Sequence, residues 1–281
     1  MGPRSFNNSH QGLRDDVSLA DDLKKNVRVL IWVMTYKQKL YKNAVHVRDT
    51  WAKRANPKVI YVSSENDTSF PAVGLDIEEG WNHLTDKTMN GFRYMYDHHF
   101  DDADWFMKAD DDTYVIVENL RYFLADKNPD EPVFYGQRYH NMWGVFTSGG
   151  AGYVLSKEAL RRLATAGRDP KVCHQTGDKE DVRLAWCMEH LGVKMGNTKD
   201  ADGRETFFGW KPDAIINNEV PGWYTQLGGR VGIEKMSHFP VSFHKITPQM
   251  MHTLDYLLYY ARPFGIQFGH DDYEDSKKEV Q

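Results

Sequence analysis

The sequence predicts a mixed α/β fold built on a mostly parallel, Rossmann-like central sheet flanked by helices, and three observations carry that prediction. Short apolar runs of strand length alternate with segments of helical period, the β-α-β-α-β order that winds a parallel sheet. The first run, residues 27–34, is nearly continuous in apolar residues, as strands covered on both faces are. The run Trp105, Phe106, Met107 leads into three adjacent carboxylates, Asp110, Asp111 and Asp112. Ligands bind beyond such carboxyl ends of strands in open α/β sheets.

In chain order, residues 1–26 are polar and read as a flexible leader. The strand at 27–34 ends at Thr35, where a nucleotide base or ribose would sit. Residues 40–52 have helical character, with Ala44, Val47, Arg48 and Trp51 at three- and four-residue spacing. A second strand covers 59–62, and a loop with Pro71 covers 63–74. Residues 83–100 predict a long helix with Leu84, Thr88, Phe92 and Met95 on one face, delivering the chain to the acidic strand. A helix at 118–124 and a strand at 132–136 follow. Three glycines, Gly149, Gly150 and Gly152, then suit either close approach to a ligand or a tight turn. Without the Lys-Ser/Thr ending of a P-loop they are not one. Ser156 is the expected N-cap of a helix at 157–166. Another helix, 180–190, opens with Glu180 and Asp181 at its positive end, an arrangement that often means only capping. Residues 203–210 form an aromatic loop, and 222–232 read as irregular, suited to a mobile cover. A strand ending in His244, a helix at 247–261 and a disordered acidic tail at 270–281 complete the chain. One catalytic domain, 27–269, is the simplest division.

Composition narrows the class. Of 281 residues, 41% are hydrophobic and 27% charged, ordinary for a soluble domain, and the net charge of −5 argues against a nucleic-acid partner. No run is long or apolar enough to span a membrane, and the polar opening is not a signal peptide. The chain therefore reads as cytosolic, or as a luminal domain separated from its anchor. Sequons at Asn7 and Asn66 are common by chance. Cys173 and Cys187 are either a bridge or two buried thiols. No GxGxxG follows the first strand, so a dinucleotide fingerprint is absent.

Three neighbouring carboxylates repel one another, and leaving one desolvated and unpaired is costly. A hard divalent cation, Mg²⁺ or Mn²⁺, resolves the conflict and keeps open positions for phosphate oxygens. The acidic turn is therefore a candidate metal–diphosphate platform.

Several collinear stretches resemble the core-1 β1,3-galactosyltransferase family, within the Fringe-related β1,3-glycosyltransferases. They are Trp32-Val33-Met34-Thr35, Phe70-Pro71-Ala72-Val73-Gly74-Leu75 and Asp102-Ala103-Asp104-Trp105-Phe106. They continue with Lys108-Ala109-Asp110-Asp111-Asp112-Thr113-Tyr114-Val115-Ile116 and with the run from Ser148-Gly149-Gly150-Ala151-Gly152-Tyr153 to Leu160. Glu180-Asp181, Gly203-Arg204-Glu205-Thr206-Phe207 and Val241-Ser242-Phe243-His244 complete the set, which spans about residues 27–265. The resemblance implies a GT-A fold and a type II Golgi membrane protein, here a luminal portion without its anchor. It implies Mn²⁺, with Mg²⁺ as the alternative ion, held by Asp110, Asp111, Asp112 and His244. UDP-galactose would be held at Thr35, Arg48, Lys87, Asp110 and Asp111. Asp181 would be the general base toward O3 of N-acetylgalactosamine linked to Ser or Thr of a glycoprotein, with inversion at the anomeric carbon. Gly149, Gly150, Glu180, Glu205, Trp210, Trp223 and Tyr224 would shape the acceptor and sugar pocket. A Cys173–Cys187 disulfide and a homodimer are implied as well.

The chain departs from the family at Phe208-Gly209-Trp210, at the shortened aromatic segment Trp223-Tyr224 and at Glu234-Lys235-Met236-Ser237-His238. The alternatives are accordingly a paralogue using UDP-N-acetylglucosamine or UDP-glucuronate, and a non-catalytic chaperone or glycan-binding homologue.

Overall fold

The structure, a computed structural model, describes residues 17–261. The Asn7 sequon, most of the expected leader and the tail at 270–281 lie outside the described residues. The part of the leader that is described differs from the expectation. Residues Val17–Asn26 form a helix, α1, because Leu19 and Leu23 recur at helical spacing; Leu23 packs against the core, and both line one cavity with Glu118, Arg121 and Tyr122.

The strands are β1 Val29–Met34, β2 Val59–Ser63, β3 Ala72–Gly74, β4 Trp105–Asp110, β5 Tyr114–Val115 and β6 Val133–Gly136. They continue with β7 Arg138–Asn141, β8 Gly144–Thr147, β9 Tyr153–Ser156, β10 Lys194–Met195, β11 Phe207–Phe208 and β12 Ser242–Phe243. The longer helices after α1 are α2 Leu84–His99, α3 Val117–Leu124, α4 Lys157–Ala164, α5 Glu180–His190 and α6 Pro248–Tyr259. A seven-stranded sheet has the order β10-β6-β9-β4-β1-β2-β3. All its pairings are parallel except those of β9, which runs against both β4 and β6. The predicted mostly parallel α/β sheet is thus observed. The reversed strand β9, buried along its whole length, lay unread inside the glycine-rich stretch.

Successive residues of a strand face opposite sides. In β1, Val29, Ile31 and Val33 pack on one face with Trp51 and Leu120, while Leu30 and Trp32 pack on the other with Met89, Phe92 and Met95 of α2. Gly91 lets α2 lie on the indole, since a Cβ there would sit 2.7 Å from Trp32 Cη2. In β4 the same alternation sends Phe106 and Lys108 toward the α2 side, and Lys108 is only 1% exposed. Beyond β1 the expected single helix is a mixed coil instead: a wide π turn, Leu40–Ala44, precedes a short α-helix, Val45–Asp49. The segment 222–232, expected to be irregular, holds a short helix at Gly222–Gln226 with Tyr224 fully buried.

A small sheet, β11-β12-β5, closes over the end of β4. It pairs Phe243 with Tyr114 on one side and with Phe208 on the other. These pairings bring residue 244 back beside the acidic turn.

Candidate functional site

At the carboxyl ends of β1 and β4 lies a cleft of about 750 Å³. Its floor is the turn after β4. Thr113 N–H bonds Asp110 O at 3.1 Å, closing four residues that cannot all present side chains to one side. Asp110 and Asp112 face the cleft. The small sheet delivers His244 to them, with its N–H on Phe208 O at 3.0 Å and the Ile246 N–H on Asp112 O at 2.9 Å. His244 Nε2 stands 3.1 Å from Asp112 Oδ1 and 3.9 Å from Asp110 Oδ2, and one ligand atom from each of the three residues lies within 4.8 Å of the others. Two carboxylates and an imidazole on a cleft floor fit a divalent cation. Burial opposes ionisation of Asp112, but its hydrogen bond to His244 and the charges of His244, Lys245 and Lys39 prevail and hold the carboxyl below its usual range.

Asp111, expected as a third ligand, is not in this group. It lies in the cleft wall but its carboxylate is nearly covered, with Oδ2 accepting from Thr35 Oγ1 at 2.8 Å. Lys39 Nζ and Asn43 Nδ2 approach its Oδ1 at 3.4 and 3.3 Å. The three carboxylates relieve their repulsion by splitting, two toward the cleft and one toward neutral and cationic donors. Burial raises the Asp111 carboxyl to about 6 despite Lys39.

The second acidic pair splits likewise. Glu180 is buried, accepting from Tyr153 Oη at 2.5 Å and Thr88 Oγ1 at 3.2 Å, with Lys108 Nζ at 3.6 Å. Asp181 lines the cleft, its Oδ1 accepting from Val182 N–H at 2.9 Å. Burial, then the adjacent Glu180 charge, raises the Asp181 carboxyl to about 6. Lys108 joins the two acidic segments, with Nζ 2.6 Å from Asp110 Oδ1 and donating to Gly149 O at 3.2 Å. Burial would depress this ammonium, but Asp110 and Glu180 outweigh it and raise its pKa.

The glycine stretch is required by this geometry. A Cβ on Gly150 would lie 2.0 Å from His244 Cε1, and one on Gly149 would lie 2.6 Å from Glu180 Oε2. Gly152 adopts φ +76°, which favours glycine. Close approach, rather than a turn alone, explains the run.

At the other end of the cleft, Lys87 is buried. Its Nζ donates to Thr35 O at 2.7 Å and to both oxygens of Glu79, at 2.6 and 2.7 Å. Burial lowers its pKa, with Glu79 acting against that. Thr35, Lys87, Gly149, Gly150 and Glu180 thus join the acidic residues on the cleft wall.

Five expected residues stand elsewhere. Arg48 lies on the outer side of its helix, bonded to Asp49 at 2.9 Å and stacked over Phe70. Glu205 is buried between Lys199 and Arg230, at 3.9 and 3.8 Å. Trp210, Trp223 and Tyr224 form an aromatic cluster away from the cleft lining, with Trp210 and Trp223 centroids 5.5 Å apart. The Tyr224 hydroxyl accepts from Gln137 Nε2 at 3.0 Å. Lys108, Lys39, Asn43, Glu79, Trp81 and Lys245 were missed. For Lys108 a signal existed, because a lysine inside an otherwise apolar buried strand demands partners. Cys173 and Cys187 are joined in a disulfide across α5, Cα atoms 4.7 Å apart. Among the described residues no helix is long and apolar enough to cross a membrane.

A Fringe-like family model matches residues 25–251. Glycoprotein-N-acetylgalactosamine 3-beta-galactosyltransferase 1 of Xenopus laevis is 38% identical over 282 residues, covering 94% of this chain and 78% of that protein. A beta-1,3-glucosyltransferase of Mus musculus is 30% identical over 175 residues, 61% of this chain and 35% of its own length. A solved glycosyltransferase involved in the glycosylation of the major capsid of PBCV-1 aligns with 82% of this chain and 99% of its own, at 13% identity and a TM-score of 0.43.

Proposed function

The chain belongs to the Fringe-like family, and from that premise we propose that it is an inverting β1,3-glycosyltransferase. In this reading it moves galactose from UDP-galactose to O3 of N-acetylgalactosamine carried on Ser or Thr of a glycoprotein. The 38% identity to a protein of that named activity supports the donor and acceptor. The observation that carries the chemistry is one cleft holding both the Asp110–Asp112–His244 group and a separate carboxylate, Asp181, with a raised pKa.

Asp181 is the base. Raised to about 6, it is ionised at neutral pH yet basic enough to accept a hydroxyl proton as the bond forms. The O3 proton passes to Asp181, and an O3 lone pair forms the new bond to the anomeric carbon. The bond from that carbon to the diphosphate oxygen breaks, its electrons leaving with UDP. Bound by Asp110, Asp112 and His244, Mn²⁺ (or Mg²⁺) would act as a Lewis acid toward the diphosphate. Lys39 and Lys245 line the same wall and add positive charge for the leaving group. Thr35 and Lys87, beyond β1, hold the nucleoside end in this assignment. The domain would act in the Golgi lumen, an oxidising setting that suits the Cys173–Cys187 bond.

UDP release with Mn²⁺, a panel of UDP-sugars and a GalNAc-Ser/Thr glycopeptide tests the reading. Acceptor-dependent release with UDP-galactose alone supports it. Release with another UDP-sugar keeps the mechanism and replaces the donor. Mn²⁺-dependent UDP binding without release from any donor points to a non-catalytic homologue.

A further inference from the structure

The hairpin β7–β8 turns through Met142 and Trp143, closed by the Asn141–Gly144 pair and by Trp143 N–H on Asn141 Oδ1 at 2.8 Å. Turns favour small polar residues. This one instead presents Met142 at 89% exposure and Trp143 at 43%, with half-exposed Val145 beside them. The tip is held in place. Trp143 O accepts from Trp186 Nε1 of α5 at 3.0 Å, and Lys179 Nζ lies 5.0 Å over the Trp143 ring. The base of the hairpin packs through Tyr139 and Phe146 onto Val182 and Tyr224, so the aromatic cluster outside the cleft supports this hairpin. After β8 the chain reaches Gly149 and Gly150 of the cleft wall.

A second exposed indole lies across the same loop. Trp81, 75% exposed, lines the cleft just before α2. Thr85 N–H of α2 bonds Gly177 O at 3.0 Å. The loop 177–179 therefore meets the start of α2, shares the cleft wall with Trp81 through Asp178, touches the Trp143 ring through Lys179, and leads directly into Asp181. Exposed apolar side chains grouped beside a cleft mark a binding surface rather than scattered surface residues.

We propose that the β7–β8 tip, Met142 and Trp143, together with Trp81, forms an acceptor clamp for the polypeptide flanking the glycosylated Ser or Thr. The occupant is an extended, proline-containing, Ser/Thr-rich segment. Such segments carry clustered O-glycans, and their polyproline II conformation docks into aromatic-lined grooves. The contact of the tip with Lys179, two residues before Asp181, argues for the acceptor rather than the nucleotide. This inference rests on the transferase reading above and deepens it.

The test compares a Pro-containing GalNAc-glycopeptide, its Pro→Ala counterpart and methyl α-GalNAc as acceptors. The enzymes are wild type, Met142→Ser/Trp143→Ala and Trp81→Ala, with Leu257→Ser on exposed α6 as a control. The clamp variants should lower kcat/KM for the Pro-containing glycopeptide, relative to methyl α-GalNAc, by about tenfold through KM, the size expected of an aromatic anchor. The Pro→Ala peptide should lose the same advantage on the wild-type enzyme, and KM for UDP-galactose should not follow. If the glycopeptide-to-glycoside ratio stays within about twofold of wild type in both variants, the clamp is overturned. An equal loss on both acceptors also overturns it. A wild-type enzyme that transfers nothing would sink the transferase reading instead. The clamp is then decided by glycopeptide binding followed through tryptophan fluorescence, where wild type should bind and Met142→Ser/Trp143→Ala should not.

Discussion

The two acidic segments of the cleft, 110–112 after β4 and 180–181 at the start of α5, use the same residue types to opposite ends. In each, one carboxylate is nearly covered and held by hydrogen-bond donors, Asp111 by Thr35 and Glu180 by Tyr153, while its neighbour stays more open to the cleft. What the exposed member meets then decides its chemistry. Asp112 meets the His244 imidazole and is held below the usual carboxylate range, so it stays ionised and available to a cation. Asp181 meets backbone N–H groups, the Glu180 charge and, more weakly, the Lys108 charge, and burial raises it to about 6. One carboxylate is thereby suited to ligation and the other to proton transfer, the separation that acid–base sites depend on.

The sharpest way to break this comparison is Asp181→Asn. It should reduce kcat by about 10²–10⁴-fold, with Mn²⁺-dependent UDP binding retained. The same substitution should stabilise the protein at neutral pH. A carboxyl raised above its unfolded value contributes stability below about 3.8 that is lost as pH rises through about 6. Removing it should therefore raise stability at pH 7 by on the order of 1–3 kcal/mol, read from denaturant midpoints. Wild-type turnover in this variant would end the base assignment.

Next in size is Lys108→Met, which strands Asp110 and Glu180 without their shared cation. Breaking such a buried pair should cost about 3–5 kcal/mol in chemical denaturation. A loss under about 1 kcal/mol would show that the two segments are not coupled through it.

Asp112→Ala should weaken Mn²⁺ affinity, measured by calorimetry, by more than the roughly 10–100-fold typical of losing a residue that only supports a ligand. Asp111→Asn should alter Mn²⁺ affinity less than Asp112→Ala, because its carboxylate faces Thr35. Equal losses would return Asp111 to the ligand set.

The smallest effect is graded. With Mn²⁺ saturating, log kcat/KM for transfer should rise with pH and level off near 6, as Asp181 loses its proton. Below that pH the slope should be about one decade per unit. A profile flat from pH 5 to 8 would place the base elsewhere.

The sequence by itself was enough for a mostly parallel sheet without its reversed strand β9, for the acidic turn at a strand's carboxyl end and for the start of α5 at Glu180, because strand alternation, helical period and capping act between neighbours in the chain. The family resemblance added His244 and Asp181, which no local pattern distinguishes from a structural histidine or a helix cap. Only the tertiary structure decided which carboxylates face the cleft. That depended on Thr35 and Tyr153, remote in sequence from the carboxylates they bind, and on Lys108, which neighbours Asp110 in the chain but reaches Glu180 only through the fold. It also decided that Trp210, Trp223 and Tyr224 support a hairpin instead of lining the cleft, because packing against α5 and Tyr139 sets their position. An aromatic side chain's type shows how much apolar surface it has to bury, but which surface covers it is set by elements folded against it from elsewhere in the chain.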